Sequence, residues 1–230
     1  MSEDLARLQR ALGYLFQDES ALIRALTHRS VGHDNNERLE FLGDALLNFV
    51  VGEAVFLRLP KAAEGDLSRM RAMLVREETL AVVARRLELG EVLRLGSGEL
   101  KSGGYRRDSI LADGLEALIG AVYLEGGFAA GRDLCLRLFA PELDHLPDPG
   151  TLKDSKTRLQ EHLQAAGRPL PEYTVLSEEG PPHRRSFRIR CRLPDDGSES
   201  TGEGASRKFA EQQSAERMLH SLIESGGRHA

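Results

Sequence analysis

The chain has 230 residues, 40% apolar and 29% charged, with two cysteines and a formal net charge of −5. That composition supports one large core or two smaller ones and excludes a disordered chain. The N-terminal MSEDLARL has neither the basic flank nor the apolar core of a signal peptide. No apolar run approaches the roughly 18 residues of a membrane span, and Cys135 and Cys191 lie far apart in apolar-patterned segments, so a cytoplasmic protein without disulfides or a zinc site is expected.

In chain order, SEDLARLQRALGY and SALIRALTH carry apolar residues at helical spacing. NERLEFLGDALLNFVVGEAVF, from Asn36 to Phe56, reads as a helix that is apolar almost all round, with Asn36 as its N-cap. At about 100° per residue, Glu37, Glu40, Asp44 and Asn48 share an arc of roughly 80°. Leu39, Leu42, Leu46, Phe49 and Val50 are expected on the opposite, buried side, with Phe41 and Leu47 flanking the acidic stripe. LSRMRAMLVREETLAVVARRLEL reads as one helical segment, and SILADGLEALIGAVYLEG as another.

The stretch APELDHLPDPGTLKDS, with three prolines and a glycine, marks a boundary. Beyond it the period changes. DSKTRLQEHLQAAG is helical, but PEYTVLSEE and RRSFRIRCRL have shorter repeats. In the latter, Phe187, Ile189, Cys191 and Leu193 alternate with Arg188, Arg190 and Arg192. A third strand is expected in GSESTGEG and a closing helix in SRKFAEQQSAERMLHSLIE, giving the order α-β-β-β-α. From Thr151 onward there are 13 Lys+Arg against 12 Asp+Glu, which leaves 18 against 24 before it. Two units with different tasks are expected.

Asp113 and Glu116 form a second acidic pair on an apolar helix, with the small Gly120 one turn along the same stripe. If Glu40 and Asp44 faced them, four carboxylates would share one pocket and raise each other's pKa values. An all-oxygen cluster suits a hard divalent cation, Mg²⁺ or Mn²⁺. Carboxylate-bound Mg²⁺ activates water for in-line attack on phosphorus, so phosphodiester hydrolysis fits. No Gly-rich phosphate loop is found, and no nucleotide cofactor is expected. The HD pair at His33 and Asp34 lacks the further ligand histidines that a His-Asp phosphohydrolase needs.

NERLEFLGDA, from Asn36 to Ala45, resembles the signature of the bacterial ribonuclease III endonucleases. ALTHRS, EGDLSRMRAMLV, GELKSGGYRRDSILADGLEALIG and KDSKTRLQEHLQ follow the family's order. The resemblance covers nearly the whole chain. It implies an all-α endonuclease domain over residues 1–145 that dimerises, a linker at 146–152, a small α+β double-stranded-RNA-binding domain over 153–225, and a flexible tail at 226–230. It also implies Mg²⁺-dependent cleavage of both strands of duplex RNA, leaving 5′-phosphates, 3′-hydroxyls and short 3′ overhangs, in processing of ribosomal, messenger and transfer RNA precursors.

The same resemblance implies roles residue by residue. Glu40, Asp44, Asp113 and Glu116 would be the metal cluster, with Asp44 and Glu116 closest to catalysis. Glu37 and Glu64 match acidic positions tied to the cleavage centre and the subunit interface. Gln160 and Glu161 would meet 2′-hydroxyls or base edges in one minor groove, and His183 would probe another. Arg207 and Lys208 would hold phosphate at a helix N-terminus. The arginine row at 188, 190 and 192 is expected to be solvated, because RNA is held in this domain type by helix ends and loops. Two departures stand out: Ser155 where proline is usual, and Phe209 where polar residues are commoner.

Overall fold

The computed structural model describes residues 3–181 and 184–226. The chain divides into two compact units, residues 1–149 and 150–230. Among the described residues no helix is long and apolar enough to cross a membrane.

The first unit is helical. α1 (Glu3–Leu12) and α2 (Glu19–Ala25) precede the long α3 (Glu37–Arg58). Asp18 caps α2 by accepting the Ser20 N–H at 2.8 Å. α4 (Glu64–Leu74) and α5 (Glu77–Arg86) follow, then the short α6 (Ser97–Lys101), α7 (Asp108–Leu138) and α8 (Ala140–Asp144). The core lies where α3 packs on α7. Leu47, Val50 and Val55 from α3 and Leu115, Leu118 and Ile119 from α7 are fully buried. Each such side chain removed from water contributes roughly 1.5–3 kcal/mol.

Several expectations needed correction. The segment read as one helix from Leu67 to Leu89 breaks at Arg76, whose extended backbone (φ −72°, ψ 154°) separates α4 from α5. Thr79 Oγ1 donates to the Met73 carbonyl at 2.9 Å across that corner. The periodicity of residues 67–89 survives the corner, because both helices bury their apolar sides in the same core. Conversely, α7 does not end at the Gly126-Gly127 pair. Gly127 takes φ 77° and kinks it, and a second helical stretch continues to Leu138.

On α3 the split of apolar residues also differs. Leu47, expected beside the acidic stripe, is fully buried, whereas Phe49, expected inside, is 58% exposed and Phe41 78%. Leu42 is half-buried. Asn36 sits at the N-cap position, but its side chain makes no cap hydrogen bond. Asn35 Oδ1 accepts the Glu37 N–H at 3.0 Å instead.

The second unit follows the order α-β-β-β-α. Asp154 caps α9 (Ser155–Ala165) by accepting the Thr157 N–H at 2.9 Å. β1 (Glu172–Glu179), β2 (Ser186–Arg192) and β3 (Glu199–Gly204) form an antiparallel sheet in sequential order, and α10 (Arg207–Gly226) closes the unit. Period two is realised on β2, where Ile189 and Cys191 are fully buried, as is Leu193 just beyond. Leu159, Leu163, Ala215 and Met218 from the two helices cluster with Cys191 and Leu193. Gly202 lets α10 lie against β3, since a Cβ there would come within 2.2 Å of the Ala210 carbonyl oxygen. Both cysteines are free and buried, as expected.

Candidate active site

The α3–α7 crossing is built on glycine. A Cβ on Gly43 would stand 1.8 Å from the Glu116 carbonyl oxygen, and one on Gly120 would stand 2.2 Å from that of Leu39. The two backbones therefore touch, and residues one turn toward each N-terminus are brought face to face. Gly120 is legible as a small residue on the acidic stripe. Gly43, buried within the apolar signature, offers no comparable signal.

At this crossing Glu40, Asp113 and Glu116 offer carboxylate oxygens that all lie within 4.8 Å of one another. Glu116 is only 8% exposed. Burial, then the charges of Asp44, Asp113 and Glu40, push its carboxyl up to about 8. Glu40 is raised by burial, then by Asp113 and Glu37. Asp113 is raised by burial and by Glu77, against the opposing pull of His28 and Arg29. Asp44, the fourth expected member, is exposed and stands just outside the converging three. Its charge helps to raise Glu116, and its Oδ1 accepts from Asn48 Nδ2 at 2.7 Å.

The donor set fits a hard divalent cation. Three carboxylates gathered where desolvation already disfavours charge are costly without a countercharge, and an all-oxygen set is what such an ion prefers.

Glu37 and Glu64 behave differently from the three. Glu37 lines the same cleft as Glu40 and Asp113, and Asn35 Nδ2 donates to its carboxylate at 3.2 Å. Glu64 opens α4, exposed, and accepts from Ser68 Oγ at 2.8 Å; it is not part of the converging group. In the second unit, Gln160 and Glu161 are exposed on α9, and Lys153 Nζ donates to Glu161 at 2.8 Å. Arg207 and Lys208 are exposed in the first turn of α10, where Arg207 Nε also donates to Glu211 at 3.0 Å. His183 lies outside the described residues, as does the tail beyond Gly226. Phe209 is exposed, and its ring occupies the space above Gly204, with Cδ1 2.3 Å from where a Cβ would be. The arginine row stays partly exposed to solvent and also makes loose ion pairs, Arg188 with Glu203 and both Arg190 and Arg192 with Glu199.

A helical unit with clustered carboxylates, followed by an α-β-β-β-α unit, matches two described families. Residues 18–143 match "Ribonuclease-III-like" and residues 155–222 match "Double-stranded RNA binding motif". The chain belongs to the ribonuclease III family. Ribonuclease 3 of Ectopseudomonas mendocina (strain ymp) is 56% identical over 227 residues, covering 98% of this chain and 99% of its own. That of Azotobacter vinelandii (strain DJ / ATCC BAA-1303) is 55% identical over the same length and shares. A solved nuclease domain of ribonuclease III from Campylobacter jejuni superposes with a TM-score of 0.60 at 46% identity, covering 61% of this chain and 99% of that domain; it is described as flexible in the region involved in dimer formation. Membership in the ribonuclease III family makes this chain an endoribonuclease with a double-stranded-RNA-binding module.

Proposed function

We propose that this ribonuclease III family member hydrolyses duplex RNA at the α3–α7 crossing with Mg²⁺, for which Mn²⁺ can substitute. The convergence of Glu40, Asp113 and Glu116 carries the reading: three partly or largely buried carboxylates, of which burial first and the neighbouring acids second push Glu116 up to about 8. Glu40, Asp44, Asp113 and Glu116 would hold the ion. When bound, it supplies an activated water and stabilises charge at the phosphorus, the products being 5′-phosphate and 3′-hydroxyl ends. Asp44 and Glu116 are the pair most directly tied to hydrolysis. Asn48 fixes the Asp44 carboxylate by its hydrogen bond, which limits the rotamers open to it. Glu37 supports the centre from the adjoining cleft, and Glu64 acts at the subunit interface.

Gln160, Glu161 and His183 would meet the minor grooves, and Arg207 and Lys208 the phosphates between them. We take residues 146–152 as the connection between catalytic and binding parts. Structured precursors of ribosomal, messenger and transfer RNA in the cytoplasm are the substrates this reading assigns.

Two strands need two centres, and one chain supplies one converging cluster among its described residues. A homodimer answers this. Phe41, Phe49 and Phe56 lie within roughly 80° of one another around α3, all exposed, and Phe49 meets the exposed Phe128 edge-on at 5.9 Å. An apolar stripe of that kind marks an association surface.

Labelled duplex RNA incubated with the purified chain should be cut with Mg²⁺ and left whole with EDTA. Mixed dimers of wild-type and Glu116→Gln subunits should nick one strand only. Monomers by sedimentation at working concentration, or double-strand breaks from mixed dimers in one binding event, would sink the two-centre scheme.

A further inference from the structure

Beside the acidic cluster lies a cleft of about 470 Å³ lined by both acidic and basic side chains. Glu37, Glu40, Glu99 and Asp113 share its lining with Arg29, Asn36 and Arg107. Asn36 is 2% exposed, and its Nδ2 finds no acceptor among the described residues. An amide donor desolvated without a partner costs about 1–3 kcal/mol, so its persistence calls for an acceptor that arrives from outside. Arg29 is 71% exposed in its side chain and meets Glu37 only at 3.5 Å, too long for a strong hydrogen bond. Arg107, by contrast, is held by Glu99 at 2.6 Å.

The backbone carrying these two donors is tied down from several directions. Asn36 N–H donates to the Thr27 carbonyl at 2.9 Å, which joins the two ends of the α2–α3 loop. His28 N–H donates to Arg94 O, and Arg94 N–H to Leu26 O, at 3.0 and 2.8 Å. Ser30 Oγ lies 2.8 Å from His28 Nδ1 and accepts the Gly96 N–H at 2.8 Å. Gly96 permits that approach, since a Cβ would meet the Ser30 carbonyl oxygen at 2.3 Å. Arg29 thus stands on a rigid loop, close enough for its charge to act on both Glu40 and Asp113.

We infer that Asn36 and Arg29 form a subsite for a non-bridging oxygen of an RNA phosphodiester neighbouring the one that is cut. The inference rests on the proposed cleavage centre and adds to it a contact by which the catalytic unit itself registers the strand. A phosphate suits the pair because it offers the acceptor that Asn36 Nδ2 lacks and the negative charge that Arg29 meets only loosely in Glu37. The acids that share the cleft would repel that phosphate unless a cation neutralised them, so strand registration and metal binding become mutually supportive.

The test uses the full-length chain and a short duplex RNA in which single phosphodiesters are replaced, one at a time, by neutral methylphosphonates. Arg29→Gln and Asn36→Ala are each placed on the Glu116→Gln background and duplex binding is measured as a function of salt. Each variant should bind more weakly, by about tenfold for the charged contact. Arg29→Gln should also flatten the salt dependence by about one phosphate per site. At one linkage position the neutral replacement should weaken the unsubstituted protein but not the Arg29→Gln protein. Additive effects at every position scanned, or unchanged binding, would overturn the subsite. If Asn36 served only the fold, Asn36→Ala would lower the melting temperature and leave binding intact, which also overturns it. Cleavage by wild type against Glu116→Gln in Mg²⁺ reports on the metal cluster separately, so failure of that reading leaves a different record.

Discussion

The α3–α7 crossing and the open face of the three-stranded sheet both concentrate charge, and they do so in opposite ways. At the crossing, Glu40, Asp113 and Glu116 converge in partial or near-complete burial, where desolvation and neighbouring acids outweigh the pull of Arg29 and His28. On the sheet, Arg188, Arg190 and Arg192 alternate along β2 and face Glu203 and Glu199 across the β2–β3 register. The first arrangement is incomplete without something positive from outside. In the second, each arginine meets a carboxylate of the neighbouring strand, loosely and within reach of solvent. What distinguishes a site from a decorated surface is therefore whether its charges are answered within the chain, and counting charges along the sequence does not reveal this.

The sharpest way to break the comparison is to remove the buried acid. Glu116→Gln should lower cleavage of duplex RNA by about a thousandfold or more, the several kcal/mol expected when a metal-held transition state loses a ligand. Duplex affinity should change little, because the second unit is untouched. Gel-based cleavage and filter binding measured on one preparation decide it, and parallel loss of both would show that the acid cluster is not the reaction centre.

Next in size is the crossing that gathers the acids. Gly43→Ala places a methyl group where the Glu116 carbonyl oxygen already stands, 1.8 Å away. Forcing the helices apart should cost about 1–3 kcal/mol of stability. Cleavage should fall further than the folded fraction does, since the carboxylates separate too. Gly98→Ala is the control, with nothing within 4 Å of the added methyl. Equal melting temperatures for the two variants would contradict the close-contact account.

A smaller effect should appear with pH. The Glu116 carboxyl, ordinarily near 4.5, is pushed up to about 8 in the fold, so the native state holds a proton that the unfolded chain releases. Its contribution favours folding below about 4.5 and is lost as pH rises through about 8. Metal-free wild type should thus lose stability relative to Glu116→Gln across that window, and Mg²⁺ should restore it at the upper end. Denaturant titrations at pH 5 and pH 8.5 with EDTA measure this; a difference of the opposite sign would refute the buried-acid assignment.

Smallest of all are substitutions on the sheet. Arg188→Gln or Arg192→Gln should change stability by no more than about 0.5 kcal/mol, as exposed ion pairs do. Neither should alter duplex affinity at physiological salt. A marked loss of binding from either would move the RNA onto this face.

Much of this was legible in the sequence for physical reasons. Period two on β2 and helical spacing on α3 and α7 reflect burial directly, and the spacing of Glu40 from Asp44 and Asp113 from Glu116 placed each pair on one helix stripe. Three things were not legible. The corner at Arg76 leaves the apolar period intact, so nothing local marks it. The exposure of Phe49 and burial of Leu47 depend on which side α7 occupies, and a helix that is apolar nearly all round does not disclose that. Asn36, read as a cap by residue type, gives that role to Asn35, and only the three-dimensional structure shows its amide unpartnered.

The back-to-back glycines at 43 and 120 have a consequence for how this protein tolerates change. Because the same backbone contact holds the fold together and sets the spacing of the acids, inheritance of foldedness and of chemistry is linked at two positions that carry no side chain at all. A library selected only for soluble expression should retain both glycines as stringently as one selected for RNA cleavage, while Glu116 drifts freely in the first and is held in the second.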